Sequence, residues 1–76
     1  MFVEQDIVKL KRALLAVRSR YGGGVVDLPQ GTQGRVVAVY DQSWGNVGST
    51  LYEVDFSDGF RTVALLTLED GDLEPV

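Results

Sequence analysis

Apolar and polar positions alternate most cleanly at Tyr52, Val54 and Phe56, which are separated by Glu53 and Asp55. Successive side chains of a strand point to opposite faces, so this pattern predicts a strand over 50–56 with a core face and an acidic, solvated face. Ser57, Asp58 and Gly59 follow. An Asp-Gly pair supplies the positive backbone angles of a tight turn, and residues 60–68 then provide the returning strand of a β-hairpin over 52–68. Upstream, residues 27–40 join a turn to a β-branched run. Pro29 presets φ for the turn, Gly31 and Gly34 admit left-handed angles, and Val36, Val37, Val39 and Tyr40 suit a pleated surface. Only Ala38 interrupts them as a small filler, so 34–41 predicts a strand buried on at least part of both faces. A turn at Gly71 leads to a short last strand over 73–76.

Residues 3–21 support two readings. Val3, Ile7, Leu10, Leu14, Val17 and Tyr21 fall at helical spacing, and the intervening Leu, Lys, Ala, Arg and Glu residues favour a helix. Over 6–13, however, Val8 and Leu10 alternate with Lys9 and Lys11, the pattern of an edge strand with one apolar and one charged face. Gly22, Gly23 and Gly24 end whatever precedes them, because such a run loses too much backbone freedom inside a regular element. Val25 and Val26 form a short extended piece leading into Leu28 and Pro29. Strands at 34–41, 50–56, 60–68 and 73–76 alone would leave an open sheet edge, and a strand at 6–13 would close them into a small barrel. The expected fold is mainly β: a single domain over 1–76, a small barrel of about five antiparallel strands, with the helical reading of the N-terminal segment as the alternative.

A chain of 76 residues must spend most of its large apolar side chains on a single core. The absence of cysteine removes disulfides, thiolate catalysis and zinc–cysteine sites, and the absence of histidine removes imidazole ligation and Ser-His catalysis. Acidic residues stand near the N-terminus where a signal peptide would be basic, and no apolar run reaches membrane-spanning length; the expected location is the cytoplasm, with no membrane partner. Residues 1–35 carry six basic and three acidic groups, and residues 36–76 carry one and eight, so +3 and −7 sum to the net −4. Lys9, Lys11, Arg12, Arg18 and Arg20 could form a basic face, but the remaining field repels a polyanion, which ranks nucleic acid below protein as a partner.

Two motifs suggest ligand chemistry and fail on their context. The Gly31-Thr32-Gln33-Gly34 turn precedes a strand and has no following lysine, unlike a phosphate loop, which follows a strand and opens a helix. Glu69, Asp70, Asp72 and Glu74 lack the spacing and distal glutamate of a calcium loop and read as a solvated turn. No constellation of residues selects an acid–base pair, so no enzyme, catalytic residue, cofactor or metal is expected. Trp44 stands in the polar loop 41–49. It either fills a partner's pocket or folds back to cap the core.

Residues 6–14 and 28–40, together with Tyr52 to Phe56, Ala64 to Leu68 and Asp72 to Val76, resemble small bacterial SH3-like barrels. The nearest named group is the uncharacterised domain family 4926, with KOW domains sharing the glycine-then-valine strand. Residues 15–26 depart from the pattern as an enlarged first loop. The resemblance implies a strand at 6–13. It also implies a non-enzymatic module that binds a protein partner through loops at one end of the barrel, with Trp44, Tyr40, Tyr21, Arg18 and Arg20 as candidate contacts. The alternatives are a KOW-like nucleic-acid or ribosome-associated surface, or a self-assembling homo-oligomer.

Overall fold

The computed structural model describes residues 2–18, 24–41, 50–57 and 62–76. Its strands are β1 (Ile7–Leu10), β2 (Leu14–Arg18), β3 (Val25–Leu28), β4 (Gln33–Asp41), β5 (Thr50–Ser57), β6 (Thr62–Glu69) and β7 (Leu73–Pro75), with a 3-10 turn at Asp70–Asp72 before the last. A five-stranded antiparallel sheet has the order β6-β5-β4-β1-β7, and β2 and β3 pair in a separate two-stranded sheet. Each of the segments expected as strands at 6–13, 34–41, 50–56, 60–68 and 73–76 thus contributes a strand, β1, β4, β5, β6 or β7, to one sheet, with β1 confined to Ile7–Leu10.

The helical reading of the N-terminal segment is overturned. Val8 and Leu10 are 0% and 1% exposed between β4 and β7, whereas Val3 and Ile7, which a helix would have buried with Leu10, face solvent. Strand pairing from both sides outweighs a local periodicity. Gln5 and Ala16 also hold φ at 78° and 54°, left-handed values that no α-helix contains. What read as an enlarged loop over 15–26 holds most of β2 and the start of β3, which pair with each other.

The core comprises Val8, Leu10, Leu28, Val36, Tyr52, Val54, Phe56, Ala64, Leu66 and Leu73, with Leu14, Val17 and Val26 of the hairpin packed against it. The predicted alternation in β5 holds: Tyr52, Val54 and Phe56 are buried. Burial along β4 is uneven: the register with β5 shifts between Val36 and Ala38, with Val36 buried, Val37 exposed, and Ala38 and Val39 half-buried. An extra residue at a bulge accommodates consecutive apolar side chains without a second core.

The turn at 29–32 forms as its residues suggest. Thr32 N–H donates to Pro29 O at 3.1 Å, Gly31 has φ of 85°, and Gly31 N–H and Leu10 N–H tie the turn to β1 through Leu10 O and Thr32 O, each at 3.0 Å. Gly34 differs from expectation. It has no positive φ, and its role is steric: a Cβ there would lie 2.7 Å from Val54 Cγ1 and 2.8 Å from Phe56 Cδ1.

Tyr52 ties both chain ends to the core. Its hydroxyl accepts from Phe2 N–H at 3.2 Å and donates to Asp70 Oδ1 at 3.1 Å, while Phe2 packs edge-on against the ring with centroids 5.5 Å apart. Burial pushes the phenol pKa up; the Phe2 N–H opposes the shift and Asp70 reinforces it. A raised folded-state pKa contributes stability fully below the unfolded value of about 10, lost as pH rises through the folded value. Tyr52→Phe is therefore expected to cost about 1 kcal/mol at neutral pH. Its urea stability should also fall less than that of the parent between about pH 8 and pH 10.5. Equal alkaline losses would show that Tyr52 does not carry this dependence.

Candidate functional site

The β2–β3 hairpin shows two faces because of a bulge. The register shifts between Leu14 and Val17, so these side chains, three residues apart, both pack toward the core, and Leu15 and Ala16 turn outward. The left-handed Ala16 is held by its N–H, which donates to Asp27 Oδ1 across the hairpin at 2.7 Å. Leu15 is 71% and Val25 58% exposed, large apolar side chains on a hairpin whose opposite face is core. Arg18 ends β2, exposed and paired in register with Val25.

Of the other residues singled out in the sequence, Tyr40 lies near the end of β4, 44% exposed, with its hydroxyl 3.4 Å from Glu53 Oε1. It belongs to the five-stranded sheet and Arg18 to the two-stranded one. Trp44, Tyr21 and Arg20 lie outside the described residues, as does the Asp58-Gly59 turn.

A second feature was not legible in the sequence. Ile7 pairs with Arg35 across β1 and β4, and Arg35 with Asp55 across β4 and β5, so these residues form one row on the outer face of the sheet. They border a groove of about 330 Å³, completed by Gln33, Gly34 and Ser57. Asp55, read from the sequence as solvated, has a buried Oδ1 with no hydrogen-bond partner. Arg35 is exposed and makes no ion pair within 4.0 Å among the described residues. Each charge was visible alone; their juxtaposition depends on the β4–β5 register.

Two other basic side chains are paired with carboxylates. Lys9 Nζ lies 3.7 Å from Glu74 Oε1, and Arg12 Nη2 lies 3.4 Å from Asp72 Oδ1. The acidic turn over 69–74 serves structural contacts: Asp70 receives the Tyr52 hydroxyl, and Asp72 Oδ2 accepts Glu69 N–H at 3.1 Å. Among the described residues no cluster of acidic groups could hold a metal ion, and no helix is long and apolar enough to cross a membrane. No family model, curated protein or solved structure matches this chain.

Proposed function

We propose that the chain is a small SH3-like barrel acting as a non-enzymatic interaction module that binds a protein partner. The arrangement of strands supports the barrel reading: β1 lies between β4 and β7, bringing the first strand beside the last, and β4, β5 and β6 form a meander. The observation that carries the functional reading is the exposure of Leu15 and Val25 on a hairpin with its other face in the core. Large apolar side chains presented on a fixed backbone are suited to filling a partner's pockets. In this reading Arg18 borders the contact; Tyr21, Arg20 and Trp44 lie outside the described residues, and Tyr40, on the other sheet, is a separate candidate contact. The matching of Lys9 and Arg12 by carboxylates leaves less positive charge for a phosphate backbone, which favours a protein over a nucleic acid.

The test compares the parent with a Leu15→Ser, Val25→Ser double variant and with Trp44→Ala in capture from cell lysate, alongside urea denaturation. The double variant is expected to change stability by no more than about 0.5 kcal/mol, as exposed substitutions do, and to lose the captured protein. Retained capture by both folded variants would overturn the reading. A Trp44→Ala chain that fails to fold would instead assign that ring to the core. Sedimentation at low and high concentration separates partner binding from self-assembly.

A further inference from the structure

We propose that the exposed face of the β2–β3 hairpin docks on the acidic end of the five-stranded sheet of a second copy of this chain. The inference rests on the reading of the hairpin as an interaction surface, and it names an occupant whose chemistry the chain itself supplies. Self-association covers the hairpin, so it and the binding of another protein there exclude each other.

The hairpin offers an apolar contact with a basic rim. Leu15 is 71% and Val25 58% exposed. Arg18 stands directly opposite Val25, and Lys11 shortly precedes β2. Both cations are exposed, and neither makes an ion pair within 4.0 Å among the described residues. Asp27, the carboxylate on β3, is drawn onto the hairpin's own backbone, where Oδ1 accepts Ala16 N–H at 2.7 Å. The same bond holds the bulge, so the apolar and basic groups are in place before a partner arrives.

The sheet offers the opposite charge where β4 closes, β5 begins and β6 closes. Register places Tyr40 opposite Leu51 and Leu51 opposite Glu69, one row across three strands. The next row on the same face has Glu53 between Ala38 and Thr67. Tyr40 is 44% exposed, Glu69 is exposed, and Leu51 and Glu53 are half-buried. Beyond Arg35, the strands β4, β5 and β6 contain no basic residue. The division of charge along the chain, +3 over residues 1–35 and −7 over residues 36–76, therefore reappears as two apolar patches with rims of opposite sign.

Charge decides how the patches meet. Hairpin against hairpin brings Arg18 toward Arg18, and sheet end against sheet end brings Glu53 and Glu69 together, so both like-with-like arrangements are repulsive. Hairpin against sheet end pairs opposite signs and covers apolar side chains on both sides. Within one molecule the patches do not cover each other, since Leu15 and Tyr40 are both exposed. The contact thus joins two different patches on two copies. With few large apolar side chains on either side, it belongs with small, transient interfaces.

The test starts with the unmodified chain at low salt, followed by sedimentation and backbone amide shifts from about 10 μM to about 1 mM. The average mass should rise over that range, and association should weaken at least about tenfold between about 20 mM and about 500 mM sodium chloride. The amides of Leu15, Arg18 and Val25 should move together with those of Tyr40, Leu51 and Glu69. No rise in mass by about 1 mM, or shifts confined to one of the two patches, would overturn the proposal. Two double variants then separate the patches: Leu15→Ser with Arg18→Glu, and Tyr40→Ser with Glu69→Lys. Each alone should stay monomeric, and their equimolar mixture should regain association, because each keeps the patch that the other has lost. A mixture of folded variants no more associated than its parts would also overturn it. The measurements on the unmodified chain stand whether or not a variant folds. A chain that stays monomeric yet captures a protein from lysate would refute self-association and leave the hairpin reading intact.

Discussion

Phe56→Ala is expected to lower the unfolding free energy by about 3–5 kcal/mol, the usual consequence of removing a fully buried phenylalanine. At 0.05–0.15 kcal/mol per residue, a chain of 76 residues has roughly 4–11 kcal/mol in all, so this substitution brings it near the unfolding threshold. The size of the effect follows from position. Phe56 is 1% exposed, stands opposite the small, fully buried Ala64 in the β5–β6 register, and lies against the bare backbone of Gly34 from β4. One ring thus fills the space between small residues on both neighbouring strands, and its loss leaves a cavity that no adjacent side chain can occupy without moving a strand. Urea denaturation of Phe56→Ala and Phe56→Leu checks this: leucine should recover more than half of the loss. A Phe56→Ala chain within about 1 kcal/mol of the parent would exclude this packing.

Gly34→Ala is expected to destabilise by about 1–3 kcal/mol, through overpacking. Its new Cβ would stand 2.7 Å from Val54 Cγ1 and 2.8 and 2.9 Å from two Phe56 ring carbons. Both side chains are buried, so neither can swing aside into solvent. Gly31 provides the comparison. A Cβ there meets nothing within 4 Å, but φ is +85°, so Gly31→Ala should cost about 1–2 kcal/mol through backbone conformation alone. The mechanisms separate in a double-mutant cycle. Adding Phe56→Leu should relieve part of the cost of Gly34→Ala and leave that of Gly31→Ala unchanged. Strict additivity for the Gly34–Phe56 pair would show that the clash is absent.

The amino-acid sequence by itself determined the elements whose stabilisation is local or strictly periodic. The alternation of Tyr52, Val54 and Phe56 allowed only a half-buried strand, and Pro29 with Gly31 allowed a turn, because pleat direction and left-handed φ act on the residues that carry them. Val8 and Leu10 were legible as a strand face, but the helical spacing of Val3, Ile7 and Leu10 competed with it. Only the pairing of β1 with both β4 and β7 decided between them. Tertiary structure alone placed the bulges beside Val37 and at Leu15 and Ala16. A bulge changes which face a residue occupies without changing the composition of the run, so periodicity gives no sign of it. For the same reason Gly34 looked like a turn glycine, when what requires it is the Phe56 ring from another strand. The row of Ile7, Arg35 and Asp55 brings together residues as many as 48 positions apart in the chain (55 − 7). Strand register joins such positions, and register is fixed by which side chains the assembled core accepts.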